Sequence, residues 1–132
     1  MKVAHLTPLL LAMAVATPAA GFEADFSFAD VRPCAGGALR ITSSPEFQLT
    51  QVPAGTVSLD FFLLDLTASF EHGGRKLDYA GEPTIPAGAF KYIGPCPPLD
   101  ATHTYEWTIR ALDGAEVELG STTATGTFTG QR

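Results

Sequence analysis

The chain has 132 residues, 45% of them hydrophobic and 17% charged, with a formal net charge of −6. That length fits one domain with a modest core, and the acidic balance excludes nucleic acid and anionic membrane surfaces as partners drawn in by long-range attraction. Any site for an anion therefore has to be built locally.

The opening stretch, "MKVAHLTPLLLAMAVATPAAG", joins Lys2 to an apolar run through Leu9, Leu10, Leu11 and Val15 and then to small residues. This is the layout of a secretory signal peptide, too short and wrongly flanked for a membrane span. Ala19 and Gly21 suit cleavage after Gly21, and cleavage after Ala16 is the alternative. The expected organisation is a signal peptide over 1–21 and one domain over 22–132, periplasmic or secreted from a bacterium. No later run is long enough to be an integral membrane segment. Cys34 and Cys96 both lie beyond the leader. An even pair in an oxidising compartment points to a disulfide, with a metal or redox role and two free buried thiols as the alternatives.

From Phe22 onward, alternation with a period of two dominates. "FEADFSF" sets Phe22, Ala24, Phe26 and Phe28 on one face against Glu23, Asp25 and Ser27. A strand is expected at Phe47–Thr50. "TVSLDFFLLDL" (Thr56–Leu66) is almost continuously apolar, which predicts a central strand covered on both faces. Further strands are expected at Ala89–Ile93, in "HTYEWTIRAL" (His103–Leu112), and at Ala115–Leu119 and Thr122–Thr129, the last polar-faced and near an edge. Phe61, Phe62, Phe90 and Trp107 are assigned to the core.

Turn signals fall at Pro33, Gly36–Gly37, Ser44–Pro45, Pro53–Gly55, Gly73–Gly74, Pro86–Gly88 and Asp113–Gly114. The last lies between two strand patterns and marks a hairpin. No segment has a capped 3.6-residue period. The fold class is all-β: a single-domain antiparallel β-sandwich with little helix.

Beyond Gly21 the chain carries two histidines, His72 and His103, and no methionine. Both flank loops, where binding groups concentrate. A copper site would take both imidazoles, a thiolate and often an axial Met; there is no Met, and Cys96 is assigned to the bridge. Nucleophilic catalysis needs an activated Ser or Cys, and no such elbow exists. A small anion pocket needs convergent donors, and His72, His103, the Tyr105 hydroxyl and the Gly94 peptide supply that set. No metal, cofactor or catalytic residue is expected, and the protein is not expected to be an enzyme.

Three stretches carry a family likeness. "SPEFQLTQVPAGTVSLDFFLLD" (Ser44–Asp65), "GPCPP" (Gly94–Pro98) and "HTYEWTIRALD" (His103–Asp113) occur in the order, and with the motifs, of the phosphatidylethanolamine-binding protein (PEBP) family. The chain resembles a short, secreted bacterial member of it. The resemblance implies a β-sandwich with an anion pocket at one end. It places Asp65 at the family's first pocket Asp, His72 at its pocket His, Gly94 and Pro95 in the loop wall, and His103 and Tyr105 at its H-x-Y pair. Leu66 and Thr67 stand where the family has Pro and a second Asp, and Gly73 where it has Trp, which implies a shallower, more open site. Asp65 is expected to orient a histidine; the competing account is a strand-end Asp bonding backbone N–H groups.

The function expected is a non-enzymatic, phospholipid-binding-protein-like module that takes a phosphate-like or carboxylate-bearing small anion. The alternative is a protein partner, such as a protease to be inhibited, with a vestigial pocket. A weak hydrolase at the His/Asp cluster is the third reading.

Overall fold

The computed structural model describes residues 21–32, 34 and 38–131. Residues 1–20 of the predicted leader over 1–21 lie outside the described residues, as do the turn signals at Pro33 and Gly36–Gly37. Nine strands follow in chain order: β1 (Glu23–Phe26), β2 (Ile41–Ser43), β3 (Phe47–Thr50), β4 (Ser58–Asp65), β5 (Phe70–Asp78), β6 (Thr84–Ile85), β7 (Lys91–Ile93), β8 (Thr102–Leu112) and β9 (Glu118–Thr129). They form a four-stranded sheet ordered β5-β4-β8-β9, a three-stranded sheet ordered β1-β3-β6, and a β2–β7 ribbon. Every ladder is antiparallel. The all-β expectation holds. Among the described residues no helix is long and apolar enough to cross a membrane.

Alternation in the sequence becomes two facing layers. Tyr105, Trp107, Ile109 and Ala111 of β8 are all fully buried, as are Leu59, Phe61 and Leu63 of β4. Facing them are Phe47 and Leu49 of β3 and, further along, Phe22, Ala24 and Phe28. Phe47 reaches across to Phe61 (ring centroids 4.9 Å) and Trp107 (5.3 Å), and Tyr92 of β7 closes on Trp107 at 5.0 Å. The two layers meet closely over β9: a Cβ at Gly126 would lie 2.9 Å from the Phe26 ring.

Four expectations need correcting. β4 is central in its sheet but covered on one face only, since Phe62, assigned to the core, is 37% exposed. Composition cannot separate an apolar residue on an open face from a buried one. Gly73–Gly74 is no turn; both lie within β5, and the chain reverses at Leu66–Ser69. The two strands expected at Ala115–Leu119 and Thr122–Thr129 are replaced by one, β9, which begins at Glu118, runs through Gly120 and lies at the sheet edge as expected. The Asp113 hairpin forms, but with a loop over Asp113–Val117. In it Asp113 Oδ1 accepts the N–H groups of Ala115 (2.8 Å) and Val117 (2.9 Å), and Glu116 takes a left-handed φ of 62°.

Cys34 and Cys96 form the expected disulfide, with Cα atoms 5.5 Å apart across a sequence separation of 62. It ties the segment before β2 to the proline loop after β7. Replacing both cysteines by Ser is expected to lower the unfolding free energy in urea by about 4 kcal/mol, the loop-closure entropy of a link this long; unchanged stability would show that the bridge does not constrain the unfolded chain.

Gly74 pairs with Phe62 where β4 and β5 run side by side. A Cβ there would lie 1.7 Å from the Phe61 carbonyl oxygen, whereas one at Gly114 meets nothing within 4 Å. Gly74→Ala should therefore cost about 3 kcal/mol and Gly114→Ala within about 0.5 kcal/mol. Equal effects in thermal unfolding would refute the placement of β5.

Candidate functional site

Asp65 ends β4 at 4% exposure. A carboxylate at a strand end can stand in for the missing ladder acceptors and close a turn. Its Oδ1 accepts the N–H groups of Thr67 and Ala68, each at 2.9 Å, which shapes the β4–β5 reversal. Its Oδ2 accepts the Nδ1–H of His103 at 2.6 Å. Both sequence-based accounts of Asp65 are therefore satisfied at once, one by each oxygen. Burial pushes its pKa up, but the His103 hydrogen bond, the Ala68 N–H, the imidazole charge and the Thr67 N–H together outweigh it. The carboxyl is held below its ordinary value.

His103 lies at the start of β8, with 15% of its side chain exposed. Because a carboxylate only accepts, the bond to Asp65 keeps the proton on Nδ1 and leaves Nε2 as the outward nitrogen. Asp65 is thus a positioning residue. Tyr105, two residues along the same face, is fully buried and pairs directly with Asp65 across the ladder. Its hydroxyl makes no hydrogen bond of good geometry among the described residues, but the Asp65 carboxylate and the Cys96 backbone are close enough to act on it. Burial and then the Asp65 charge push that phenol above its ordinary value, so it stays a neutral donor.

His72 is brought in by an irregularity. The β4–β5 register shifts between Leu63 and Leu64, so that Leu63 faces Gly73 while Leu64 faces Glu71. The unpaired residue is His72, and the following Gly73 takes φ 76°. Such a bulge re-aims a side chain. Here it turns His72 inward to 2% exposure, with Nδ1–H donating to the Ile93 carbonyl at 2.7 Å. The ring lies edge-on to Tyr105 (5.4 Å) and Phe70 (4.9 Å). Its pairing with Ile93 reaches the residue before Gly94, so the six expected site residues gather at one end of the sheet.

The role of Gly94 differs from expectation. Its N–H already donates to the Arg40 carbonyl at 2.8 Å, so it is not an open pocket donor. Its need for glycine is a close approach, since a Cβ would lie 2.8 Å from the Thr42 methyl. Pro95 is fully buried. Thr67, in the place of the family's second Asp, accepts the Thr104 N–H on Oγ1 at 2.9 Å and ties the turn to β8. Cys96 is spent in the disulfide, which removes the thiolate a copper site would need. Phe70 and the Ile93 carbonyl were missed by sequence reasoning: β5 was not recognised, and a carbonyl leaves no signal in composition.

Burial pushes the His72 imidazole below its ordinary 6.5, and the Ile93 carbonyl and the Asp65 charge offset only part of this. A folded pKa below the unfolded one means that His72 contributes stability above that value and loses it as pH falls through the folded pKa. Urea unfolding from pH 7.5 down to 4.5 should show wild type losing more stability than His72→Gln; parallel profiles would sink this assignment.

No protein-family model matches the sequence, and no curated protein matches it. Solved structures do. The crystal structure of E. coli YbcL, described as a new member of the mammalian PEBP family, aligns with a TM-score of 0.52 at 20% identity, over 67% of this chain and 81% of that one. A putative phosphatidylethanolamine-binding protein homolog, CT736 from Chlamydia trachomatis, aligns at 0.49 and 19% identity, over 67% and 82%. The strand order and the first of these alignments lead to one conclusion: this chain has the PEBP-like β-sandwich fold.

Proposed function

We propose that the chain is a non-enzymatic binding protein that takes a small phosphate- or carboxylate-bearing molecule at the Asp65–His72–His103–Tyr105 cluster. The observation that carries this reading is His103, a partly exposed imidazole whose Nδ1 is held by the Asp65 carboxylate at 2.6 Å, beside the Tyr105 ring. His103 supplies the approach: with Nδ1 held by Asp65, its protonated form presents Nε2–H, and the adjacent carboxylate compensates the charge. A phospholipid headgroup belongs to the same ligand class. His72, whose Nδ1–H is engaged with Ile93, supports the wall rather than donating.

A protein partner is the second reading. Leu66, Phe70 and Leu99 are 39–45% exposed and belong to segments leading into or out of the cluster, which gives that end an apolar rim.

The test is an NMR titration of the two imidazoles with phosphate, phosphoethanolamine and acetate, on the wild type and on His103→Ala. Saturable shifts at both imidazoles in the wild type, with the His72 response lost in the variant, support the anion reading. Silence toward every anion, together with saturable shifts on adding a candidate protease, would replace it with the partner reading.

A further inference from the structure

The four-stranded sheet ends in two edges of opposite character. β5 carries the devices that keep an edge from pairing with another chain: the bulge at His72 and the exposed charges of Glu71, Arg75, Lys76 and Asp78. β9 carries none of them over Gly120–Thr129. That stretch has no charge and no proline, and it keeps an unbroken register with β8 from Ala111 to Thr102. The one irregularity precedes it, beside Leu112. Among the described residues no backbone hydrogen bond outside the β8 ladder reaches Glu118–Thr129. The N–H and C=O groups directed away from β8 therefore form an open row along the edge.

Side chains along this edge alternate strictly. Ser121, Thr123, Thr125, Thr127 and Thr129 are exposed, whereas Ala124 and Phe128 are buried and Gly126 has the Phe26 ring against it. The outer face is thus a line of hydroxyls, almost all on β-branched side chains that pair well across strands. Each copy of the chain carries a net charge of −6, so two copies repel wherever their carboxylates meet. Along β9 they meet none. A two-fold axis through Ala124 sets Thr123 against Thr125 of a second copy, and Ser121 against its Thr127. Hydroxyl face then continues into hydroxyl face, and core face into core face; an axis between two residues would reverse one of them. One strand further in, Glu106 pairs with Thr125 and Arg110 with Ser121, so neither charge shares a row with its own copy across the axis.

We infer that β9 is a homodimer interface: a second copy of this chain pairs with it antiparallel along Gly120–Phe128 and joins the two four-stranded sheets into one. The interface is isologous and closes at two subunits, because the only other edge of that sheet is the guarded β5. It is held by backbone hydrogen bonds and threonine pairs and not by ion pairs, so salt should strengthen it by screening the net repulsion between copies.

Analytical ultracentrifugation over a range of protein concentrations tests this, on the wild type, Thr125→Lys and Thr108→Lys, with circular dichroism to show that each variant is folded. Thr125 is exposed at the edge, and a lysine there stands beside the axis in both copies, so the dissociation constant should rise about tenfold. Thr108 lies on the same sheet one strand inside the edge, opposite Thr123. Its lysine variant should stay within a factor of about two of the wild type. Raising NaCl from about 50 mM to about 500 mM should tighten the wild-type dimer. A wild type that stays monomeric at every concentration overturns the proposal. So does a folded Thr125→Lys that dimerises like the wild type, a dimer that salt dissociates, or growth beyond two subunits.

Discussion

The structure depends on one aromatic contact set. Phe47 comes from the three-stranded sheet, Phe61 and Trp107 from the four-stranded sheet, Tyr92 from the β2–β7 ribbon, and Phe90 from the loop before it. Phe90 lies 5.1 Å from Phe61 and 5.7 Å from Trp107, and Trp107 touches both Phe47 and Tyr92. Neither the three-stranded sheet nor the ribbon shares a ladder with the larger sheet. Burial of these rings, at about 1.5–3 kcal/mol per large side chain, is therefore a main attachment between the layers. Edge-to-face geometry adds a preference for one arrangement over others. Because Tyr92 and Trp107 are fixed, so are Ile93, the next residue of β7, and Tyr105, two residues before Trp107 in β8.

At the end of that core the polar groups are few, and one carboxylate organises them. Asp65 divides its two oxygens between the β4–β5 turn and His103. Loss of its charge would loosen the turn and free the imidazole together, which couples local architecture to the presentation of Nε2. His72 reaches the same end by a different device, a bulge with a left-handed glycine behind it. Where the family pattern has a second carboxylate, this chain has Thr67, and its hydroxyl completes the turn instead of facing a ligand. The expected openness of the site is accordingly not what these residues produce. Asp65, His72 and Tyr105 are packed against one another and sealed from solvent.

Arg32 and Arg40 show the limit of a motif-led search. They flank a Gly-rich stretch, belong to none of the three family-like segments, and lie more than fifty residues from Gly94. The disulfide, the β2–β7 ladder and the Gly94–Arg40 hydrogen bond bring them to the proline loop. The disulfide was legible in the cysteine count, but the strand pairing and the backbone bond beside it are invisible to any reading of local pattern.

Strand faces were legible in the sequence. The period of two in Tyr105, Trp107, Ile109 and Ala111 determined which side chains are buried, because successive residues of a strand must point to opposite faces. The parity of the cysteines indicated their pairing, and Asp113–Gly114 marked its hairpin, since turns obey local backbone sterics. Gly73–Gly74 misled, because a glycine that permits a bulge looks the same as one that permits a turn. Phe62 misled, because hydrophobicity does not say whether a second layer covers a face. Tertiary structure alone decided that Asp65 meets His103, that His72 meets the Ile93 carbonyl, and that Arg40 meets Gly94. Those partners are brought together by ladder register, core packing and one disulfide, which act between residues far apart in the chain and leave no period in it.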